Sequence, residues 1–262
     1  FDKKINKNLD AASNSASATL DASVGLQQVF SSTGHYTISA DGKGSTTASM
    51  SIRVNKPNAL ATVHKAILIS SVTFGTIGNG CVSIAGVPIS WDGSASISFF
   101  NNYWADVTSI VAAQINAFPA GISTLNISEC NTGSIDGEAL LVVFNDAAAT
   151  EKTIIIMCGA MNPQGDNFSV TLAQPIDPNQ PGALLDMGLG IGFGFQSNFG
   201  GGQTSQVSVN SQRLTFAAGG EDDGISSNGG LITVGGIGDV NSNPANPFAP
   251  PTNLRSDDEL YS

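Results

Sequence analysis

The sequence predicts an all-β protein, an antiparallel β-sandwich or jelly roll, expected as two packed sandwiches with one short helix. Short apolar segments recur along the chain, often with apolar residues at every second position, and Gly-, Asn- and Pro-rich turns separate them. Strands do not alternate with long helical patterns, which disfavours a parallel α/β sheet. With 262 residues and 41% hydrophobic content, the chain can bury a substantial core.

The first predicted domain, residues 1–58, combines an N-terminal extension with a hairpin. Apolar and polar residues alternate from Leu20 to Leu26, which predicts a half-buried strand. This strand either pairs within its own chain or completes a sheet of a neighbouring subunit, so the extension is a candidate strand-exchange arm. The hairpin consists of a strand over His35–Ala40, a tight turn at Asp41–Gly44 and a returning strand from Met50 to Val54.

The second predicted domain, residues 59–178, is a β-sandwich module. Its main strands are predicted at Ala66–Phe74, Cys81–Ile89, Ala95–Phe100, Leu140–Phe144 and Thr153–Met157. The last two are nearly continuous apolar runs, as expected for central strands packed on both faces. The predicted helix spans residues 106–114, with Asp106 as its N-cap and Val107, Ile110 and Val111 at helical spacing.

The third predicted domain, residues 179–262, has glycine-rich strands and an acidic, loop-rich ending packed on the sandwich. From Gly188 to Phe195, apolar residues alternate with glycine, which predicts a strand whose glycine face lies against another backbone or a ring. A phosphate-binding loop is disfavoured because no strand–turn–helix context surrounds these glycines. Further strands are predicted at Gln206–Val209, Arg213–Ala217 and Leu231–Val234.

Composition and charge narrow the function classes. The chain has a net charge of −11 and only ten basic residues, whereas nucleic-acid binding requires clustered Lys and Arg, so we expect no nucleic-acid partner. The chain has no run of about 18 apolar residues, so no membrane-spanning helix is predicted. Charged residues make up 12% of the chain, about half the usual share, which is typical of exported β proteins. The chain begins at Phe1, which fits a polypeptide whose signal peptide has been removed.

The acidic loops after residue 220 are a candidate calcium site. Calcium takes about six to eight oxygen ligands from carboxylates and loop carbonyls. The alternative is a solvated acidic surface that keeps the protein soluble, because EF-hand spacing is absent. The predicted ligands are Glu221, Asp222, Asp223, Asp239, Asp257, Asp258 and Glu259.

Three aromatic residues, Trp91, Tyr103 and Trp104, lie close together in the sequence. They are either core anchors or the contact surface of a carbohydrate ligand. Catalysis has little support, since His35 and His64 are the only histidines and neither GxSxG nor HExxH is present. We therefore expect no enzyme.

The three cysteines, Cys81, Cys130 and Cys158, form no CxxC pair, which disfavours a zinc or redox motif. Either two of them form a disulfide and leave one free thiol, as an oxidising compartment favours, or all three are separate buried thiols. The sequence leaves both alternatives open, together with the choice of pair.

Two parts of the chain resemble a known group of modules. The segments Tyr103–Val111, Gly137–Phe144 and Lys152–Ile156, followed by the ending Leu231–Asp239 and Asp257–Tyr261, occur in an order similar to that of DUF3344-like and choice-of-anchor-type modules. The resemblance covers roughly residues 65–261. It implies an extracellular or cell-surface, β-rich module of bacterial or archaeal adhesins, surface layers or fibres, without an established activity.

Together, these observations predict an extracellular structural or adhesive protein that is not catalytic. We expect a subunit of a surface filament or cell-surface layer that self-associates into a homo-oligomer or fibre. The alternative is a secreted carbohydrate-binding module that contacts a glycan.

Overall fold

A computed structural model describes residues 25–44 and 47–162 and, further on, residues 166–168, 170, 179, 181–182, 186–194, 205–209, 211–218, 229–234, 237, 241–242 and 259–260. Within these residues the protein is mostly antiparallel β, which confirms the all-β, sandwich-like prediction. The elements of the first part are β1 Gln27–Gly44, β2 Ser49–Lys56, β3 Thr62–Thr73, β4 Val82–Ile84, β5 Val87–Pro88, β6 Gly93–Ile97, β7 Phe100–Asp106, α1 Thr108–Ala117, β8 Gly121–Glu129, β9 Ile135–Asn145 and β10 Glu151–Cys158.

Two sheets pack face to face around the main core. A six-stranded sheet has the order β10-β1-β9-β3-β7-β6, and a four-stranded sheet has the order β2-β8-β4-β5. Alternate residues of β3 and β9, such as Leu68 and Leu140, point inward and meet Ile52, Leu125 and Ile127 of the smaller sheet. The period-two alternation of these strands therefore builds one continuous apolar interior.

The opposite, outer face of the six-stranded sheet is covered by part of the same sheet. Strand β1 pairs with β10 over residues 27–35 and with β9 over residues 36–44. Ile154 and Ile156 of β10 pack with Ile67, Trp104 and Val143 on the outer face. The ribbon of β10 and the first half of β1 therefore folds across β9, β3 and β7 as a further layer.

The predicted hairpin at Asp41–Gly44 is wrong. These residues continue β1 and pair with β9, and β2 belongs to the other sheet, where it pairs with β8. Asp41 is buried and bonds across the sandwich to Arg53, with 2.7 Å between Oδ1 and Nη2, so the Asp–Gly sequence marks an ion pair between sheets and not a turn. Since β1 and β2 pair with β8–β10, the boundary at residue 58 does not separate two folding units.

Two segments predicted as single strands are hairpins. Cys81–Ile89 contains β4 and β5 around Ala85 (φ 52°) and Gly86 (φ 79°), and Ala95–Phe100 contains the turn between β6 and β7 at Ser98 (φ 56°). Positive φ in a two-residue loop matches the twist of the flanking strands, but Ala and Ser do not signal it. The prediction of a strand at Leu140–Phe144 is confirmed within β9, which is buried on both faces. Thr153–Met157 is also a strand, but it lies at the edge of the sheet.

Helix α1 confirms the predicted helix, with a shifted start. Val107 is the N-cap residue, and Asp106, one position earlier, accepts a hydrogen bond of 2.9 Å from the Thr108 backbone N–H. Val107, Val111 and Ile115 face the core. No helix among the described residues is long and apolar enough to cross a membrane.

The third predicted domain is described in part. Its strands are β11 Leu189–Gly194, β12 Ser205–Val209, β13 Gln212–Ala218, β14 Gly229–Val234, β15 Asn241–Ser242 and β16 Glu259–Leu260. These strands confirm the predictions at Gln206–Val209, Arg213–Ala217 and Leu231–Val234. Strands β11 and β14 pair with each other and lie against β3 and β9. The predicted N-terminal strand spans Leu20 to Leu26, and its residues 20–24 lie outside the described residues. Gly25 and Leu26 are described and directly precede β1.

Candidate functional site

Three loops meet at the end of the sandwich where β3 stops. They are residues 74–80, the turn between β6 and β7, and residues 131–134, and we call this region the aromatic end. The Thr73 backbone N–H donates to the carbonyl of Ser134 (2.7 Å), and the Phe74 N–H donates to that of Phe99 (2.9 Å). The Asn101 side chain donates to the carbonyl of Gly75 (2.6 Å). Each loop is therefore bonded to a neighbour.

Phenylalanine rings project from this end. The rings of Phe74 and Phe99 stack with their centroids 4.4 Å apart and their planes 8° from parallel. Phe99 also contacts the half-buried Phe100, at a centroid distance of 4.4 Å. Phe74 is 73% exposed and Phe99 is 41% exposed, so much of the apolar surface of these two rings is in contact with solvent. We call Phe74, Phe99 and Phe100 the aromatic tip.

The backbone under the tip is strained. Phe74 has a φ of 55° and Ser98 a φ of 56°, both in the left-handed region that residues with a Cβ avoid. Each such residue costs about 1 to 2 kcal/mol, so the hydrogen bonds between the loops must offset this cost. Backbone strain of this kind is often found at functional sites, and here it turns an apolar ring toward solvent.

The aromatic end lacks charge. Residues 74–80, 94–103 and 131–135 contain no Asp, Glu, Lys or Arg, although the chain has a net charge of −11. Exposed apolar rings on an uncharged surface are a common feature of contact sites between macromolecules.

A disulfide fixes the base of two of these loops. Cys81 and Cys130 are bonded, with their Cα atoms 4.9 Å apart, and they stand at the roots of loops 74–80 and 131–134. Of the two alternatives that the sequence left open, the structure has the single disulfide. Cys158, the last residue of β10, is free and packs with the cluster on the outer face of the sheet, where burial raises the pKa of its thiol to about 12.

Three acidic residues are buried directly below the loops, and we call Glu129, Asp136 and Glu138 the carboxyl layer. Asp136 is the extra residue of a β-bulge, since Gly137 pairs with Ser71 and Ile135 with Val72. The bulge needs glycine at position 137, because the φ there is 150° and a Cβ would lie 2.1 Å from the carbonyl oxygen of Lys43.

Each sheet contributes to this layer. Asp136 Oδ2 accepts a hydrogen bond of 2.6 Å from Thr73 Oγ1, and burial raises the pKa of Asp136 to about 7. Glu138 Oε1 accepts from Ser70 Oγ (3.0 Å), and Glu129 lies on β8 in the other sheet. Burial, and then the charge of Glu129, raise the pKa of Glu138 well above its ordinary value.

The predicted carbohydrate-binding aromatics do not form one exposed surface. Tyr103 belongs to the inner core, where Trp91 packs against it at 5.7 Å, and Trp104 lies on the outer face over Gly93. Neighbouring residues of a strand point to opposite faces, which separates Tyr103 from Trp104. The exposed rings are instead those of Phe74 and Phe99, which are distant in the sequence and meet only through the fold.

The histidines are structural in the described part of the chain. His35 Nδ1 lies 2.7 Å from the carbonyl oxygen of Ala149. His64 packs beside Tyr36, with a ring-centroid distance of 4.8 Å, and its Nε2 lies 3.3 Å from the Tyr36 hydroxyl. The printed partner of His64 is thus a phenol hydroxyl and that of His35 a backbone carbonyl, and not the Ser or Cys of a catalytic triad.

The predicted calcium ligands Glu221, Asp222, Asp223, Asp239, Asp257 and Asp258 lie outside the described residues. The backbone of Glu259 is described and pairs with Asn241. Within the described segments no group of three or more His, Cys, Asp and Glu side chains is arranged to hold a metal ion. Calcium binding therefore stays a prediction.

Comparison of the chain with family models, with curated proteins and with solved structures finds no match. The resemblance of residues 65–261 to adhesin modules stays a prediction too.

Proposed function

We propose that the protein is an extracellular structural or adhesive protein without catalytic activity, a subunit of a surface filament or cell-surface layer that contacts its partner through the aromatic tip. The observation that carries this proposal is the exposed stack of Phe74 on Phe99. The exposed ring of Phe74 on strained backbone adds no stability to an isolated monomer, whereas a contact partner would bury that ring.

The size of the tip suits a repeated contact. Full burial of a Phe side chain stabilises by roughly 1.5 to 3 kcal/mol, so two rings supply only a weak single contact once the cost of association is subtracted. Many such contacts along a filament or layer add up through avidity.

Charge favours a second copy of the chain as the partner. A protein of net charge −11 repels its own copies, and the repulsion is smallest where the surface carries no charge. The uncharged loops of the aromatic end meet this condition. The Cys81–Cys130 disulfide and the low charge content support an oxidising, extracellular environment.

Sedimentation velocity with electron microscopy tests the proposal over a range of protein concentrations. The double variant Phe74→Ser/Phe99→Ser should lower self-association at least tenfold relative to the native chain. Leu60→Ser is the matched control, because Leu60 is 91% exposed but lies at the other end of β3. Equal association of the native chain and the double variant, or an equal loss in the control, would contradict a role of the tip.

The alternative is a secreted carbohydrate-binding module, and the near-parallel stack of Phe74 on Phe99 supports it. The exposed face of Phe74 is flat and apolar, which suits the C–H face of a sugar ring. A glycan array probed with the native chain and with the double variant separates the two functions. Glycan binding that requires both rings, in a chain that stays monomeric, would replace the assembly proposal.

A further inference from the structure

We propose that the free edge of strand β6 pairs antiparallel with the β6 edge of a second copy of the chain, and that this edge contact links copies joined through the aromatic tip into an open assembly. The inference rests on the proposed function, in which copies associate through the aromatic tip. It adds the second contact that a filament or layer needs.

A tip contact alone does not build a filament. When two identical aromatic ends meet, both copies use the same surface, so the contact is isologous and the assembly closes at a dimer. A second isologous contact on a different surface joins one such dimer to the next. This second surface therefore has to lie outside the aromatic tip.

The edge of β2 is already occupied by side chains of its own chain. The backbone N–H of Arg53 donates to Asp41 Oδ2 (2.6 Å). The backbone N–H of Asn55 donates to Ser39 Oγ (2.9 Å). Both acceptors are buried residues of β1, so strand addition at β2 would have to break these bonds.

Two further edges of the main sheets are protected in other ways. Strand β5 has only two residues and ends in Pro88, which has no N–H to donate. Strand β10 begins with two exposed charged residues, Glu151 and Lys152. Short length, proline and charge all keep a sheet edge from pairing with another chain.

Strand β6 has none of these protections. It spans the five residues Gly93–Ile97, which include no proline and no charged residue, and among the described residues it pairs with β7 alone. Alternate backbone N–H and C=O groups of such a strand point away from its single neighbour. The edge of β6 therefore offers hydrogen-bonding groups to a further strand.

The sequence of β6 suits pairing with its own copy. In an antiparallel pair centred on Ala95, this residue faces the Ala95 of the second copy, and Ser94 faces Ser96. No charges oppose each other in this register, and serine pairs across strands are favourable. Because the chain has a net charge of −11, copies meet most easily where neither surface is charged, and the charge-free surface of the aromatic end continues along β6.

Paired charge substitutions test the edge contact on the full chain. Ser94→Lys/Ser96→Lys places lysine opposite lysine in the proposed pair, which costs several kcal/mol, so species larger than a dimer should decrease at least tenfold in sedimentation velocity. Dimers joined at the tip should remain. The matched control is Ser49→Lys/Ser51→Lys, which changes two exposed serines of β2 at the same spacing and should associate like the native chain.

Three results would overturn the edge contact. They are a native chain that never exceeds a dimer, a lysine variant of β6 that assembles like the native chain, and an equal loss in the β2 control.

A charge exchange shows whether two β6 edges face each other. Ser94→Glu/Ser96→Glu should also block larger species on its own, but an equimolar mixture with the lysine variant should restore them, since each lysine then faces a glutamate. Melting curves that match the β2 control separate a lost contact from a lost fold. Two folded variants that do not recover assembly on mixing would refute the pairing.

A cysteine at the centre of the pair tests the register without added charge. Two Ala95→Cys copies would face each other within the distance that a disulfide spans, so oxidation should give covalent dimers. Ser51→Cys should stay monomeric under the same conditions, and the native chain, whose free Cys158 is buried, gives the background. Covalent dimers from neither position, or equally from both, would contradict the proposed pair.

The two proposals fail separately. If Phe74→Ser/Phe99→Ser associates like the native chain while the lysine variant of β6 loses its larger species, the edge is a contact and the tip is not. If the phenylalanine variant loses association while the lysine variant assembles like the native chain, the tip is the contact site and the edge pairing is wrong.

Discussion

The two ends of the sandwich differ in the partners that they provide for buried ionisable groups. At the end where β3 begins, which we call the helix end, the ammonium of Lys56 is buried and donates to the carbonyls of Asn116 (2.6 Å) and Phe118 (3.1 Å). These carbonyls belong to the C-terminal turn of α1, where a cation is favoured. At the aromatic end, the buried carboxyl groups of Asp136 and Glu138 accept hydrogen bonds from the hydroxyls of Thr73 and Ser70.

The carboxylates of the helix end are stabilised in their charged form. The pKa of Asp146 is lowered by hydrogen bonds from Thr37 Oγ1 (2.7 Å), from its own loop at Ala148 and from Asn58. Burial alone would raise the pKa of Asp106, but bonds from Lys65 and Thr108 lower it. Because Lys56, Asp106 and Asp146 all have hydrogen-bond partners that favour their charged forms, we expect the helix end to stabilise the fold.

The comparison shows which end is suited to function. Buried acids with a raised pKa, such as Asp136 and Glu138, destabilise the folded state at neutral pH, and such groups are concentrated at functional sites more than in structural supports. The same end bears strained backbone and exposed rings. We therefore expect the two ends to respond differently to pH, to mutation and to ligands.

The largest expected effect is the pH dependence of stability. Asp136 has a raised pKa in the folded state, so the folded protein binds more protons than the unfolded chain between pH 4 and pH 7. The unfolding free energy should therefore fall as pH rises through this window, by about 4 kcal/mol from Asp136 alone. Below about pH 4 the trend should reverse, as Asp106 and Asp146 lose their stabilising charge. Urea unfolding at one-unit pH steps measures the curve, and stability that rises from pH 5 to pH 8 would contradict it.

The disulfide should contribute about as much. Cys81 and Cys130 are separated by 49 positions, and a crosslink across a loop of that length stabilises by about 4 kcal/mol in the chain-entropy model. The double variant Cys81→Ser/Cys130→Ser should lose this amount in denaturant unfolding, with earlier exchange in loops 74–80 and 131–134. Cys158→Ser is the control: it keeps the bridge, so a reductant should destabilise it as it does the native chain, whereas the double variant should not respond to the reductant. A double variant as stable as the native chain would show that the bridge does not hold the aromatic end.

Removal of Lys56 should break the helix end. Lys56→Ala leaves two carbonyls at the end of α1 without their donor and opens space in the core, which should cost about 3 kcal/mol. Lys152→Ala, which removes an exposed cation, should cost less than about 0.5 kcal/mol. Thermal unfolding monitored by circular dichroism compares the two variants. Similar losses in both would mean that net charge, and not the buried contact, stabilises this end.

Calcium should have the smallest effect. A ligand that binds only the folded state raises stability by about 2.7 kcal/mol at a hundredfold excess over its Kd. If the acidic loops bind calcium, a chelator should lower the melting temperature by a few degrees, and the change should be reversed by calcium but not by magnesium. An identical melting curve with and without chelator would refute the calcium prediction.

Local patterns predict much of the fold but little of the site. Apolar alternation predicts β2, and the long apolar run predicts β9, because burial on one or both faces determines those patterns. Positive φ at Phe74, Ala85 and Ser98 has no sequence signal, since these residue types rarely adopt it. Two hairpins were therefore missed.

The contacts of the site depend on strands that are distant in sequence. The ion pair of Asp41 with Arg53 becomes visible only when two sheets face each other. Acidic residues in a strand pattern normally predict a solvated face, so the carboxyl layer could not be predicted. The choice of Cys81 and Cys130 as the bonded pair depends on the same tertiary proximity.

Site-specific photo-crosslinking tests most directly whether the aromatic tip is the contact surface. The analogue p-benzoylphenylalanine takes the place of Phe99 in one preparation and of Leu60 in another, and each is irradiated at a concentration where the native chain associates. We expect crosslinked copies of the chain from position 99, with the new bonds mapped by mass spectrometry to the loops of a second aromatic end, and only monomer from position 60. Equal crosslinking from both positions, or crosslinking from position 60 alone, would contradict the account.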